Sequence, residues 1–245
     1  MNDITVSIVS HGQGELASLL LSDLDRIRCD LVRRIIVTLN TDEPWSPPAS
    51  IGGAPVLTIR NARQAGFAAN HNEAFRHCET PLFVIANPDV RLHEDPFAAL
   101  AQALAHPRCA LAVPWQVDAR GQVEDFRRRI PTPLSLVRRA ASRDRRLTET
   151  ADMEWVAGSF MAVRSDVFRE LAGFDAGYRL YCEDVDLCLR LQLAGWRIEV
   201  LPHTVVVHDA RRSSGGGSWR HLRWHLMSFV RLWTSRAFWR YRKSR

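Results

Sequence analysis

No acidic residue follows Asp209, whereas ten of the 33 basic residues do, leaving 23 basic against 27 acidic residues before it. The net charge of +6 therefore belongs to the tail, and a basic pI does not make the whole chain a polyanion binder. The five cysteines, Cys29, Cys78, Cys109, Cys182 and Cys188, contain no CxxC spacing. That removes the common zinc and dithiol motifs, and an odd, scattered set predicts a reducing, cytoplasmic compartment. There is no long apolar run and no basic leader before the strand-like segment in MNDITVSIVSHGQ. Neither a signal peptide nor a transmembrane anchor is expected, so membrane contact would be peripheral. No internal repeat and no nucleic-acid motif accompanies the charge, so nucleic acid is not an expected partner.

What is present suits one large α/β domain. With 46% hydrophobic residues in 245, the chain can bury a sizeable core. Residues 5–10 and 34–39 read as buried strands flanking a helix whose apolar stripe runs through Leu16, Leu19, Leu20 and Leu24. A Pro-rich loop at Pro44, Pro47 and Pro48 precedes a strand at 56–59, a helix at 67–77 and a strand at 82–86. Asn87-Pro88-Asp89 ends that strand; a helix at 95–105 and a strand at 109–115 follow. This alternation predicts a mainly parallel sheet with helices on both faces, and ligands at the carboxyl ends of the strands.

Residues 125–150 crowd ten arginines and prolines into one stretch, either a mobile excursion over the site or a solvated basic loop. Ser213 to Ser218 reads as a flexible joint. The domain boundary is accordingly placed at 1–214, with 215–245 as joint and C-terminal helix. From Trp219 to Tyr241, one helical face carries Trp219, Leu222, Leu226, Phe229, Val230, Trp233, Ala237 and Tyr241. Packing on the domain, an anionic membrane surface and a homodimer all suit such a stripe; the arginines and Trp224 and Trp239 beside it favour the membrane.

The densest chemistry lies between Trp155 and Asp186. Glu183, Asp184 and Asp186 open an apolar-periodic helix after a Gly-rich, aromatic approach. Acidic residues in a first turn stabilise a helix by roughly 0.3–1 kcal/mol without any catalysis. Here they have companions: Asn87-Pro88-Asp89, where a carboxylate at a strand end could hold a hard cation or simply make a turn; His208, which closes an apolar run; and the Gly-bearing helix start from Asn61 to Asn72, whose amides and Asn side chains suit a nucleotide or sugar.

In order, VSIVS at 6–10, GFAANHN at 66–72, NPDV at 87–90, GSFMAVRSDVFRELAGFD at 158–175, YCEDVDLCLRLQLAG at 181–195 and His208 resemble the family 2 glycosyltransferases of GT-A fold, particularly the rhamnosyltransferase-like members. The resemblance implies a nucleotide-diphosphate sugar donor, with dTDP-rhamnose ahead of a UDP-hexose, and a glycan or polyprenyl-diphosphate-linked acceptor in bacterial surface glycan synthesis. It implies inversion and a divalent cation, Mg²⁺ or Mn²⁺, on Asp89 and His208. By the same resemblance Asp184 is the general base with Glu183 beside it. Donor binding falls to Ser10, His11, Asn40, Gly66, Phe67, Asn72, Asn87, Asp89, Arg211 and Arg212, and acceptor binding to Trp155, Gly158 and Glu183. Many relatives carry Asp at the end of the second strand, where this chain has Leu39 and Asn40. A catalytically silent sugar-nucleotide or membrane-recruitment module is the competing reading.

Overall fold

The computed structural model describes residues 2–133, 153–208 and 219–244. The first strand, β1 (Ile4–Ser10), occupies the middle of a nine-stranded sheet. It pairs in parallel with β2 (Val32–Leu39) on one side and β5 (Leu82–Ala86) on the other. The run LFVIA of β5 is buried throughout, as expected of a strand covered on both faces. Outward from β2 come β4 (Ala54–Arg60), parallel to it, and the two-residue edge strand β3 (Ser50–Ile51). On the other side β10 (Phe160–Arg164) runs antiparallel to both β5 and β7 (Cys109–Val117). The long β11 (Arg197–His208) lies parallel to β7, and β6 (Val90–Arg91) closes the sheet antiparallel to the end of β11.

Side-chain alternation along these strands divides the core into two layers. Ile4, Ile8, Val84 and Phe160 face α1 (Gly14–Ile27) and α3 (Phe97–Leu104). Phe83, Ile85, Met161 and Val163 face the other layer, with α2 (Phe67–Phe75), α4 (Ser165–Glu170) and α5 (Glu183–Leu193). Helix α1 buries Leu20, Leu21 and Leu24 and stops where Arg28 turns left-handed. The expected elements are all present, with α2 ending two residues short of the expected 77.

Two expectations need correction. The start of the arginine-rich excursion is a wall of the domain: β8 (Arg127–Arg128) pairs with β9 (Trp155–Val156), Ile130 is buried, and Arg127 lies over the Trp115 ring. Residues 134–152 lie outside the described residues. The C-terminal segment is two helices, α6 (Trp219–Thr234) and α7 (Arg236–Lys243), because the Ser235 hydroxyl accepts the Phe238 amide and starts a new helix. Nor is the apolar stripe one face in function. Tyr241 joins the core and Phe229, Trp233 and Ala237 pack against it, whereas Trp219, Leu222, Leu226 and Val230 remain exposed; Leu232 and Phe238, outside the stripe, are buried as well. The joint at 213–218 lies outside the described residues.

Candidate active site

The carboxyl ends of β1, β2 and β5 meet the turn before β10 and the start of α5. Geometry there begins with Asp184. Its Oδ2 accepts the Gly158 amide at 3.1 Å and its Oδ1 accepts the Val185 amide at 2.8 Å. Burial raises the Asp184 carboxyl, and these two amides oppose the shift. Glu183 is buried, and its Oε2 has no partner among the described residues. Burial first and the Asp184 charge second push its carboxyl up to about 8. One carboxyl of the pair is thus poised to be neutral near pH 7 beside a carboxylate held by amides.

Gly158 leads directly to the second cluster. Ser159 carbonyl accepts the Asn87 amide at 2.7 Å, and two residues on, Asp89 is 5% exposed with both oxygens unpartnered among the described residues. His208 Nε2, also buried and without a hydrogen bond among the described residues, lies 3.5 Å from Asp89 Oδ1. Sheet register brings them together, because His208 pairs with Val90 across β11 and β6. A buried carboxylate that accepts nothing is costly unless a cation or donor completes it. Asp89 and His208 therefore fit a divalent cation; among the described residues no third His, Cys, Asp or Glu joins them. Behind the turn, Ser159 Oγ donates to the fully buried Gln116 at 2.6 Å, a support that no local sequence pattern marks.

At the ends of β1 and β2 the expected donor residues form a closed polar network. Asn40 Oδ1 accepts from Asn61 Nδ2 and the Ala65 amide, both at 2.9 Å, and its Nδ2 donates to His11 Nδ1 and the Ala65 carbonyl. The Asn40 side chain thus braces the strand ends, with both lone pairs and both N–H groups committed. Since an amide NH₂ can only donate, His11 Nδ1 is the acceptor and its proton sits on Nε2. Burial first, then Arg179, lowers the His11 pKa. Ser10 Oγ donates to Glu43 Oε2 at 3.0 Å, while Glu43 Oε1 has no hydrogen-bond partner among the described residues. Glu43 is a buried carboxylate that sequence reasoning missed, hidden in a loop read only for its prolines.

Four other assignments change. Asn72 engages Phe174 with both side-chain groups, accepting its amide at 2.9 Å and donating to its carbonyl at 2.8 Å, and so holds a loop. Gly66 is small because a Cβ there would come within 2.5 Å of the Arg179 carbonyl. That carbonyl also accepts the Phe67 amide at 3.0 Å, which takes the helix-start donor away from phosphate. The Phe67 ring instead stands edge-on to His71 and backs Gly158. Trp155 is buried in the β8–β9 wall with its Nε1 donating to the Arg129 carbonyl. Arg211 and Arg212 lie outside the described residues.

Two polar groups complete the surroundings. His71, fully buried, shares a 2.9 Å hydrogen bond with Ser7, and burial lowers its pKa to about 3. Tyr181 and Cys182, immediately before the acidic pair, both have left-handed backbones, with φ 74° and 66°. Each such non-glycine residue costs on the order of 1–3 kcal/mol, and the surroundings must hold it.

Residues 49–226 match the family described as glycosyltransferase like family 2. This chain belongs to that family. The glycosyltransferase is 29% identical to the rhamnosyltransferase WbbL of Escherichia coli strain K12, over 93% of this chain and 91% of that protein. It is 32% identical to an N-acetylglucosaminyl-diphospho-decaprenol L-rhamnosyltransferase of Mycobacterium tuberculosis strain H37Rv, over 58% of this chain and 51% of that protein. It is thus rhamnosyltransferase-like, and spans about half the length of the mycobacterial relative. In fold it is similar to a Pyrobaculum calidifontis mannosyltransferase solved with GDP-Man and Mn²⁺, with a TM-score of 0.63 at 16% identity, over 95% of this chain and 64% of that one. GalNAc-T7 solved with UDP, GalNAc and Mn²⁺ gives 0.62, also at 16% identity, over 84% and 44%. The architecture is GT-A.

Proposed function

We propose that this glycosyltransferase moves L-rhamnose from dTDP-rhamnose, with inversion, onto a hydroxyl of a lipid-linked or polysaccharide acceptor in bacterial surface glycan synthesis. The observation that carries the mechanism is the continuity from Asp184 through Gly158, Ser159 and Asn87 to the unpartnered Asp89 and His208. In transfer, the bond from the anomeric carbon to the β-phosphate oxygen breaks and its electron pair stays on the diphosphate. A bond forms from the acceptor oxygen to the same carbon, and the acceptor proton passes to the Asp184 carboxylate. Asp89 and His208 would hold a divalent cation, which when bound supplies positive charge for the departing diphosphate. The amides of Gly158 and Val185 fix the orientation of Asp184 before the acceptor arrives. A base facing the side opposite the leaving group gives single displacement and inversion.

The donor sugar rests on the rhamnosyltransferase names of the relatives. Binding of dTDP, UDP and GDP and their sugar derivatives, measured by calorimetry with Mn²⁺ or Mg²⁺ and again with EDTA, tests it. Cation-dependent binding confined to the dTDP series is the expected result. Selectivity for UDP would make the donor a UDP-hexose, and no binding or turnover with any donor would favour the silent module.

The acceptor places the enzyme at the cytoplasmic membrane face. Supporting this, α6 exposes Trp219, Leu222, Leu226, Met227 and Val230, and α7 exposes Trp239, within a tail free of acidic residues. No helix of the described residues is long and apolar enough to cross a membrane. Co-sedimentation with anionic but not neutral vesicles is expected, and a concentration-dependent dimer that masks the stripe would replace it.

A further inference from the structure

Residues 175–181, which lead into the acidic pair, form no helix or strand, yet one helix grips them along their length. Arg231 of α6 donates to both oxygens of Asp175, at 2.9 and 2.8 Å. Gly177 leaves the space that this guanidinium occupies, since a Cβ there would collide with it. Ser228 donates to the Leu180 carbonyl at 2.8 Å, and Arg179 lies over the Trp224 ring. The Tyr181 ring stacks on His225 with centroids 3.4 Å apart and planes 10° from parallel, and its hydroxyl is 3.2 Å from His221 Nδ1. That stack continues down the helix through Phe229 to Trp233, whose Nε1 donates to the Pro131 carbonyl.

The grip ends where the backbone is least willing. Tyr181 and Cys182 are consecutive left-handed residues without glycine, a conformation that L side chains leave unless neighbouring contacts hold them. The next two residues are Glu183 and Asp184. Relaxation of either would swing the first turn of α5 and pull Asp184 from the Gly158 amide. A displacement of about 1 Å of a reacting group can cost about 100-fold in rate.

Resting on the glycosyltransferase reading of Asp184, we propose that Tyr181 is a positioning residue for that carboxylate, and that His221 and His225 make α6 a structural part of the catalytic centre. The C-terminal helix is then no detachable appendage: its buried face sets the aim of the base, while its exposed face carries Trp219, Leu222, Leu226 and Val230.

The test uses the full chain and the variants Tyr181→Ala, His225→Ala, His225→Phe and Tyr181→Phe. Sugar-nucleotide turnover, amide hydrogen exchange over 180–186 and thermal melting are measured on each. Tyr181→Ala and His225→Ala are expected to lower kcat about tenfold or more, with donor KM within about twofold and faster exchange at 180–186. His225→Phe, which keeps a ring in the stack, should recover most of kcat and the slow exchange; Tyr181→Phe, losing only the hydroxyl, should fall between. Unchanged kcat in His225→Ala overturns the proposal. So does a loss in which kcat, KM and melting temperature all worsen without rescue by His225→Phe, which would mark a merely structural contact. Should the wild type turn over no sugar nucleotide, the functional reading fails on its own; exchange at 180–186 that stays slow in His225→Ala then separately overturns the clamp on Tyr181.

Discussion

Asp184 and Asp89 are two carboxylates linked through the hydrogen-bonded backbone of Gly158, Ser159 and Asn87, and their surroundings are opposite. Asp184 accepts two backbone amides; Asp89 is almost fully buried and, among the described residues, accepts no hydrogen bond. The first is a complete anion site, preorganised to receive a proton. The second is an incomplete one, whose oxygens a cation or a donor would complete. Loss of the same negative charge should therefore have different consequences at the two places.

The largest effect is expected from Asp184→Asn. Removing a general base costs about 100- to 10,000-fold in kcat, while calorimetric affinity for the donor nucleotide should stay within about twofold of wild type. Retention of turnover would break the contrast outright. Next comes Asp89→Asn, expected to weaken cation-dependent nucleotide binding about 100-fold, or about 2.7 kcal/mol. Because it also removes an unpartnered buried carboxylate, the metal-free protein should melt no lower than wild type, whereas Asp184→Asn should melt lower. Equal melting shifts of one sign would dissolve the distinction.

A smaller effect sharpens the boundary between chemistry and scaffold. Asn72→Ala removes two hydrogen bonds to Phe174 and should cost about 1–3 kcal/mol in denaturant unfolding, with donor affinity in the properly folded protein unchanged. A selective loss of nucleotide binding would return Asn72 to the donor site.

The smallest effect is a slope. Burial and Asp184 raise the Glu183 carboxyl to about 8, from 4.5 as its ordinary value. Between those values the folded chain keeps a proton that the unfolded chain has released, so this group makes stability fall as pH rises. Glu183→Gln carries no titrating proton there. The difference in melting temperature between about pH 5 and about pH 8 should be smaller than in wild type, and an unchanged difference would mean that Glu183 is ionised throughout.

Much of this was legible in the chain because the signals are local. Uninterrupted apolar runs such as LFVIA read as buried strands, and the step from Gly and aromatic residues into Glu183 and Asp184 reads as a helix start. Local signals misled where a partner far along the chain claims the side chain. Asn72 looks like a sugar ligand until Phe174 is placed against it, and Gly66 looks like a phosphate turn until Arg179 occupies the space. Glu43 gave no signal because its partner, Ser10, is 33 residues away. The C-terminal stripe reads as one helix because periodicity persists across Ser235, although that hydroxyl restarts the helix.

By itself the sequence determined the alternation of strands and helices, the two-faced burial of the sheet and the residue types available at the strand ends. These follow from side-chain polarity repeating at the periods of strand and helix. Only the tertiary structure decided which of the polar residues are free to act. Register across β6 and β11 sets His208 beside Asp89, and the turn before β10 hands its Gly158 amide to Asp184. Contacts from α6 settle the turn that carries the pair. A hydrogen-bonding group is available for chemistry only if no other part of the fold has satisfied it, and that depends on neighbours distant in sequence.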